Sequence, residues 1–450
     1  MQSFDLIVIG TGSAGKTVAE AVRQAGKTVA IIDKLPFGGT CSQRGCDPKK
    51  VLVGAAEIIA RSEQMIGKGI KTKASMNWSD LIQFKKTFVV SVPERTEKEF
   101  AEEGITAFHG VATFLSANTI RVGSHELQAK HIVIATGQRP KPLDISGEEL
   151  LTDSTGFMEL TQLPRKIVMI GGGYIAFEFA HIAARAGAKV TILHQGKRPL
   201  EGFDADLVKL LVKAMEAIGI SIILEASVTS VKSKGGNLTV SYRQSGKIHS
   251  VSTQLAVHGA GRVADVAELN LEKAGVEVNE KGVTVNEYLQ SVSNPAVYVC
   301  GDASDKGPPL TPLASYEGKI VAANILKGNR QTYTDAPIPS AVFTVPTLAS
   351  VGLTEEQARE QERNVKVTFQ ETADWYVSRR INEKFTAFKT LVDAKTGRLV
   401  GAHLLGSGSD DLINLFTLAM KHNISVKELN HTLFAYPTHG SELSSMLSDY

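Results

Sequence analysis

A chain of 450 residues exceeds what one hydrophobic core supports, and a hydrophobic content of 43% is ordinary for packed domains, so two to four domains are expected. Its 49 basic and 47 acidic residues leave a net charge of +2 and are spread without the long basic runs that track a phosphate backbone, which argues against nucleic acid as a partner. Three cysteines are too few for a disulfide scaffold, and two of them, Cys41 and Cys46, share one glycine-rich segment, a spacing that suggests redox chemistry.

The chain opens without a basic leader and enters an apolar strand at once, so a cytoplasmic protein is expected. Asp5 to Ile9 reads as that strand, Gly10 to Gly15 as a glycine turn, Lys16 to Ala25 as a helix and Thr28 to Ile32 as a second strand. In Gly10-x-Gly12-x-x-Gly15, with Ser13 and Ala14 between the last two glycines, the missing side chains admit a pyrophosphate to the N–H groups at a positive helix N-terminus. Asp33 ends the next strand, where a carboxylate accepts hydrogen bonds from ribose hydroxyls.

The run from Gly38 to Lys50 carries the cysteine pair and leads into a helical stretch, Val51 to Ala60. Gly45 permits a backbone distortion that brings the two sulfurs together, and nearby positive charge favours a thiolate. Asp47 follows Cys46 directly. A carboxylate there can raise a thiol pKa or carry a proton, but an aspartate before Pro48 reads first as a helix N-cap with proline at the first helical position.

The strand His131 to Ala135 runs into an exit loop, with a domain boundary near residue 145. Ile167 to Ala188 approaches membrane-spanning length, yet Gly171, Gly172, Gly173, Glu178 and His181 interrupt it, so no membrane association is expected. It reads as strand, turn and helix: Lys166 to Ile170, the motif Gly171-x-Gly173-x-x-Ala176, and a helix from Tyr174 to Ala186, followed by a strand from Lys189 to Leu193. After that strand come His194, Gln195, Lys197 and Arg198. Cations without a carboxylate suit a 2'-phosphate, so NADPH is preferred over NADH. A second boundary falls near Gly261. Cys300 ends an apolar strand before Gly301 and Asp302 and reads as a core cysteine. No histidine has ligand spacing with a supporting cysteine or carboxylate, so no metal is expected. The expected fold class is α/β: two Rossmann-like dinucleotide-binding domains, the first formed by residues 1–145 and 263–335 and the second by 146–262, plus a C-terminal α+β dimerisation domain at 336–450.

At these motifs the sequence resembles the pyridine nucleotide-disulfide oxidoreductases, among them glutathione reductase, dihydrolipoamide dehydrogenase and mercuric reductase. The resemblance implies that the first motif and Asp33 hold FAD, with Gly39, Thr40, Thr136, Gly137, Asp302 and Ala314 around the same cofactor. It makes Cys46 the charge-transfer thiolate and Cys41 the exchange thiol. Gly171, Gly173, Tyr174, Ile175 and Gly261 fall at the nicotinamide nucleotide, with Tyr174 as a lid. It also implies that Glu178 pairs with Lys49, or with Lys50, near the flavin. A homodimer with shared active sites is implied too.

The resemblance breaks near the end. The family's His-Pro-Thr-x-x-Glu reads here Tyr436-Pro437-Thr438-His439-Gly440-Ser441-Glu442. Tyr436 replaces the acid–base histidine, and His439 takes that role only if the loop bends inward, which Gly440 permits. The stretch from Ser444 to Tyr450 lacks the cysteine pair of mercuric reductase, which counts against a mercuric ion function. The expected activity is electron transfer from NADPH through FAD and the cysteine pair to a small-molecule or protein disulfide, or a similarly soft electrophile. Glutathione disulfide and lipoamide are expected to be poor substrates. The alternatives are a reductase of a quinone, metal ion or dioxygen, or a non-catalytic redox sensor.

Overall fold

The computed structural model describes residues 1–334 and 336–449; the expected domain ends at 335 and 450 lie outside them. The chain forms two compact units. The first comprises Met1–Lys49, Phe84–Lys141 and Gly261–Asp335, and the second Lys50–Gln83, Pro142–Ala260 and Ala336–Tyr450.

The first unit is built on one sheet. Strand Gln2–Ile9 lies between Val29–Asp33 and His125–Ile134, parallel to both, and Thr106–His109 and Val297–Val299 extend the parallel part. Thr119–Val122 and Ala112–Ser116 add an antiparallel edge. Leu6, Ile7, Val8, Ile31, Ile32, Ile132 and Val133 are all buried, as expected where helices cover both faces of a parallel sheet. The register sets Ile9 opposite both Ile32 and Ile134, so three strands end level and their following loops share one edge. The strand expected from His131 begins at His125, because Thr119–Val122 pairs with its first half. The first helix begins at Ser13 rather than Lys16, immediately after Gly12. Helix Thr311–Lys327 packs on it closely: a Cβ on Gly318 would lie 2.9 Å from the Ala14 carbonyl oxygen.

The second unit holds a parallel sheet in the order Ser221–Ile223, Lys189–Leu193, Lys166–Ile170, Leu255–His258. The stretch from Ile167 to Ala188 is strand, turn and helix Tyr174–Arg185, and no helix among the described residues is long and apolar enough to cross a membrane. Residues after 336 form a five-stranded antiparallel sheet in the order Ser340–Val342, Leu348–Gly352, Leu399–Leu405, Ala387–Asp393, Val365–Glu371, packed by helix Ser409–Lys421. Lys389 on this sheet is 2% exposed, and its ammonium meets Asp204 at 3.0 Å and Glu355 at 2.8 Å. A buried cation so surrounded keeps its charge; its pKa is raised because those hydrogen bonds outweigh the cost of burial.

Candidate active site

In the first unit the site residues gather at the level edge of the sheet. Gly10 has φ +112°, and a Cβ there would sit 2.2 Å from the Ala135 carbonyl oxygen. A Cβ on Gly15 would lie 2.0 Å from the Gly10 carbonyl oxygen, and one on Gly39 2.4 Å from the Gly12 Cα. Gly12 itself differs. A Cβ on it would find no atom nearer than the Gly39 Cα at 3.8 Å, so its face opens onto space at the N-terminus of helix Ser13–Gln24. Gly10, Gly15 and Gly39 let the backbone close on itself, and Gly12 leaves the gap.

Asp33 reaches this loop. Its Oδ2 accepts from the Thr11 N–H at 2.9 Å and the Thr11 hydroxyl at 2.7 Å, while Oδ1 accepts from the Leu35 N–H at 2.9 Å. The carboxylate thus fastens the loop as well as offering lone pairs outward. Gly301 closes the same space, since its Cβ would lie 3.2 Å from the Ala14 Cβ and 3.4 Å from that of Ala314. Burial raises the Asp302 carboxyl above its usual range, with Arg262 opposing the shift. Next to it Glu317, buried and pushed up to about 8 by burial, accepts the Gly301 N–H at 2.7 Å. The Thr136 hydroxyl is buried with no hydrogen-bond partner, and Gly137 and Gly261 have nothing within 4 Å of a Cβ. An open glycine cradle at a helix N-terminus beside an unclaimed buried hydroxyl fits a dinucleotide such as FAD.

The cysteines stand where two helices meet. Gly39–Arg44 ends at Gly45 and Cys46–Gln64 begins directly after it. A Cβ on Gly45 would press 2.8 Å from the Thr40 carbonyl oxygen and 3.1 Å from the Cys41 Cα, so only glycine lets the second helix start this close to Cys41. Both cysteines are free thiols, and they hydrogen-bond to each other. The bond from Cys41 lowers Cys46 to about 6 against the opposing effect of burial, helped by the Thr311 hydroxyl 3.5 Å away and by the Lys49 charge. Cys41 is driven up by the same hydrogen bond, by burial and by the Asp47 carboxylate. The two shifts run in opposite directions, which favours the thiolate on Cys46. The family resemblance places the segment from Thr311 to Ala314 beside the flavin, but the contact of Thr311 with Cys46, 265 positions away, comes from the fold.

The N-cap reading of Asp47 is corrected. The Lys49 N–H already bonds the Gly45 carbonyl at 3.1 Å, so Gly45 precedes the helix and Asp47 stands inside its first turn with its carboxylate toward Cys41. Cys300 is fully buried, with its thiol raised by burial, as a core cysteine should be.

In the second unit Gly171 has φ +116°, and its Cβ would meet the Gly259 carbonyl oxygen at 2.1 Å, whereas Gly173 is open to 3.9 Å. Ala176 fits in the third place because Gly259 faces it; a Cβ on Gly259 would lie 3.0 Å from that of Ala176. His194 folds back over Gly172, and its Nε2 hydrogen-bonds with the Arg198 carbonyl at 2.9 Å. The Arg198 guanidinium is turned to the Phe203 and Glu201 carbonyls and the Glu356 carboxylate, while Gln195 and Lys197 are exposed. The Glu201 carboxylate, 3.9 Å from His194, is an acid at this strand end that local sequence did not mark. Tyr174 is exposed and Ile175 half-buried at the first turn of the helix, and Glu178 is buried with its Oε1 accepting the Phe343 N–H at 2.8 Å. Lys50 lies 3.3 Å from Glu57, 3.4 Å from Asp410 and over the Phe343 ring.

The C-terminal candidates diverge. Tyr436 is 80% exposed and its ring faces Tyr376. His439 and Glu442 bound one short 3-10 helix, capped by Thr438, and both line a cavity with Glu383, Ser378 and Thr386. The His439 ring packs on Gly408, and burial followed by the charges of Arg380 and Arg61 lowers its pKa. Glu442 accepts the Val377 N–H, and burial raises its pKa. Gly440 needs no left-handed conformation; the capped turn alone brings His439 inward.

Comparison with known proteins agrees with this arrangement. Residues 4–318 match the pyridine nucleotide-disulphide oxidoreductase family and residues 338–447 match its dimerisation domain. Mercuric reductase of Lysinibacillus sphaericus is 31% identical over 99% of this chain and 83% of that protein. Glutathione reductase of Burkholderia cepacia is 32% identical over 98% of each. The solved structure of the HOCl-induced flavoprotein disulfide reductase RclA from Escherichia coli superimposes with a TM-score of 0.88 at 29% identity, over 100% of this chain and 99% of that one. With the paired thiols and the two glycine loops already in place, these matches show that the chain belongs to the pyridine nucleotide-disulphide oxidoreductases and is an FAD-dependent enzyme of that family.

Proposed function

We propose that this enzyme draws electrons from NADPH and discharges them through Cys41 and Cys46 onto a disulfide or a similarly soft electrophile. The observation that carries this reading is the pair of free thiols set side by side by the turn at Gly45, with the Thr311 hydroxyl 3.5 Å from the Cys46 sulfur; their surroundings lower the Cys46 pKa and raise that of Cys41. FAD would be held by the loop from Gly10 to Gly15 with Asp33, by Gly39 and Thr40, and by Thr136, Gly137, Asp302 and Ala314. When bound, it supplies hydride acceptance from the nicotinamide and two-electron delivery to sulfur. The chain's own contribution is to hold the Cys46 thiolate with the Thr311 hydroxyl and the Lys49 charge, and to present Cys41 to the acceptor.

The loop from Gly171 to Ala176, with Tyr174 and Ile175, is read as the nicotinamide nucleotide site, and exposed Lys197 as the contact to a 2'-phosphate. Arg198 serves this role less directly, because its guanidinium already has three protein partners. A homodimer is supported by the dimerisation domain and by exposed Leu433, Tyr436, Tyr376 and Leu418 in that region. The test is Cys41→Ser in the purified flavoprotein. Acceptor reduction should fall to background while NADPH still bleaches the flavin. Retained turnover would instead favour direct reduction of a quinone, metal ion or dioxygen.

A further inference from the structure

Asp47 stands in the first turn of helix Cys46–Gln64, with Oδ1 4.0 Å from the Cys41 sulfur, which makes it a second acceptor in reach of the proton that Cys41 shares with Cys46. Asp47 is not the N-cap of this helix, since the backbone ladder starts at Gly45. Asp47 and Cys46 are exposed and Cys41 is partly so, which lets an incoming acceptor meet sulfur and carboxylate together. The proton that must leave before Cys41 attacks is on the sulfur the carboxylate faces. Meanwhile the C-terminal histidine has turned inward onto Gly408.

We propose that Asp47 is the acid–base group of the exchange thiol, a role that rests on the dithiol reading above. As the Cys41 sulfur bonds to the nearer sulfur of the acceptor, its S–H proton passes to the Asp47 carboxylate. The acceptor's S–S bond breaks, its electron pair leaves on the departing sulfur, and Asp47 returns the proton to that sulfur. The Cys46 thiolate then attacks Cys41 in the mixed disulfide and expels the second acceptor thiolate, which takes a proton from solvent. The two enzyme sulfurs are oxidised to a disulfide, and one acceptor disulfide is reduced to two thiols.

The test compares single-turnover oxidation of the reduced flavoprotein by two neutral disulfides. 2-Hydroxyethyl disulfide has an alkyl leaving thiolate that benefits from a proton, and 4,4'-dithiodipyridine has a leaving group stable without one. In Asp47→Asn the ratio of the dithiodipyridine rate to the hydroxyethyl disulfide rate should widen by roughly a hundredfold, and Asp47→Glu should restore most of it. An unchanged ratio overturns the proposal. So does a parallel rise of both rates, which would mean that the carboxylate only raises the thiol pKa by its charge. A wider ratio in Tyr436→Phe but not in Asp47→Asn would move the role to Tyr436. If Cys41→Ser reacts with both probes at the unmutated rate, the dithiol reading itself fails, and Asp47 with it.

Discussion

The two glycine loops share one grammar and differ in what surrounds the open glycine. In the loop from Gly10 to Gly15, Asp33 clasps Thr11, Gly39 closes on Gly12, and Gly301 seals the far side against Ala14 and Ala314. Helix Thr311–Lys327 backs this enclosure, with Glu317 bonded to the Gly301 N–H. In the loop from Gly171 to Ala176, His194 lies on Gly172, and Gln195 and Lys197, which follow it in the chain, are exposed. An enclosure tied by a carboxylate suits a cofactor that stays, and a loop without that tie suits a nucleotide that binds and leaves each turnover.

The largest effect should come from Gly12→Val. Its side chain would fill the one gap that this loop leaves, so the protein should fold, by circular dichroism, yet purify colourless. Gly173→Val should give the complementary result, a yellow protein that NADPH does not reduce. A yellow Gly12→Val variant would break the assignment of the two loops.

Glu317 should show how firmly the first enclosure is built. Burial lifts its carboxyl from the ordinary 4.5 to about 8, so at neutral pH the folded chain holds a proton that the unfolded chain has released. Stability therefore falls as pH rises from about 4.5 to about 8 and levels off above. Glu317→Gln should remove that slope and gain on the order of 2 kcal/mol at pH 8 relative to pH 5 in urea unfolding. Equal gains at both pH values would refute the buried acid.

Smaller effects are expected at the second loop. Lys197→Ala should raise the KM for NADPH ~10-fold and leave that for NADH nearly constant, the loss of one charge-assisted contact. Glu201→Ala should shift preference toward NADPH by about two- to threefold, as removal of an exposed like charge would. If Lys197→Ala affects both nucleotides equally, the 2'-phosphate contact lies elsewhere.

What the sequence revealed and what it hid divide along the same line. Both glycine loops, the turn at Gly45 and the buried Cys300 depend on local backbone demands that residue type and spacing express. The Thr311 contact to Cys46, the inward turn of Arg198 and the Lys389 cluster join residues far apart in the chain, and no local pattern carries them. Asp47 was misplaced for a subtler reason. Asp before Pro is a good cap signal, but the glycine before Cys46 let the helix begin earlier and freed the carboxylate for the thiol.

Anaerobic titration of the purified protein with NADPH tests the central claim most directly. If electrons settle on the cysteine pair with Cys46 as thiolate, the first equivalent should produce a long-wavelength thiolate-to-flavin band, and that band should fade as pH falls through about 6. The first equivalent should also expose one additional thiol to alkylation at Cys41, and Cys46→Ser should abolish the band. Direct bleaching of the flavin by the first equivalent, with no band and no new thiol, would contradict the account.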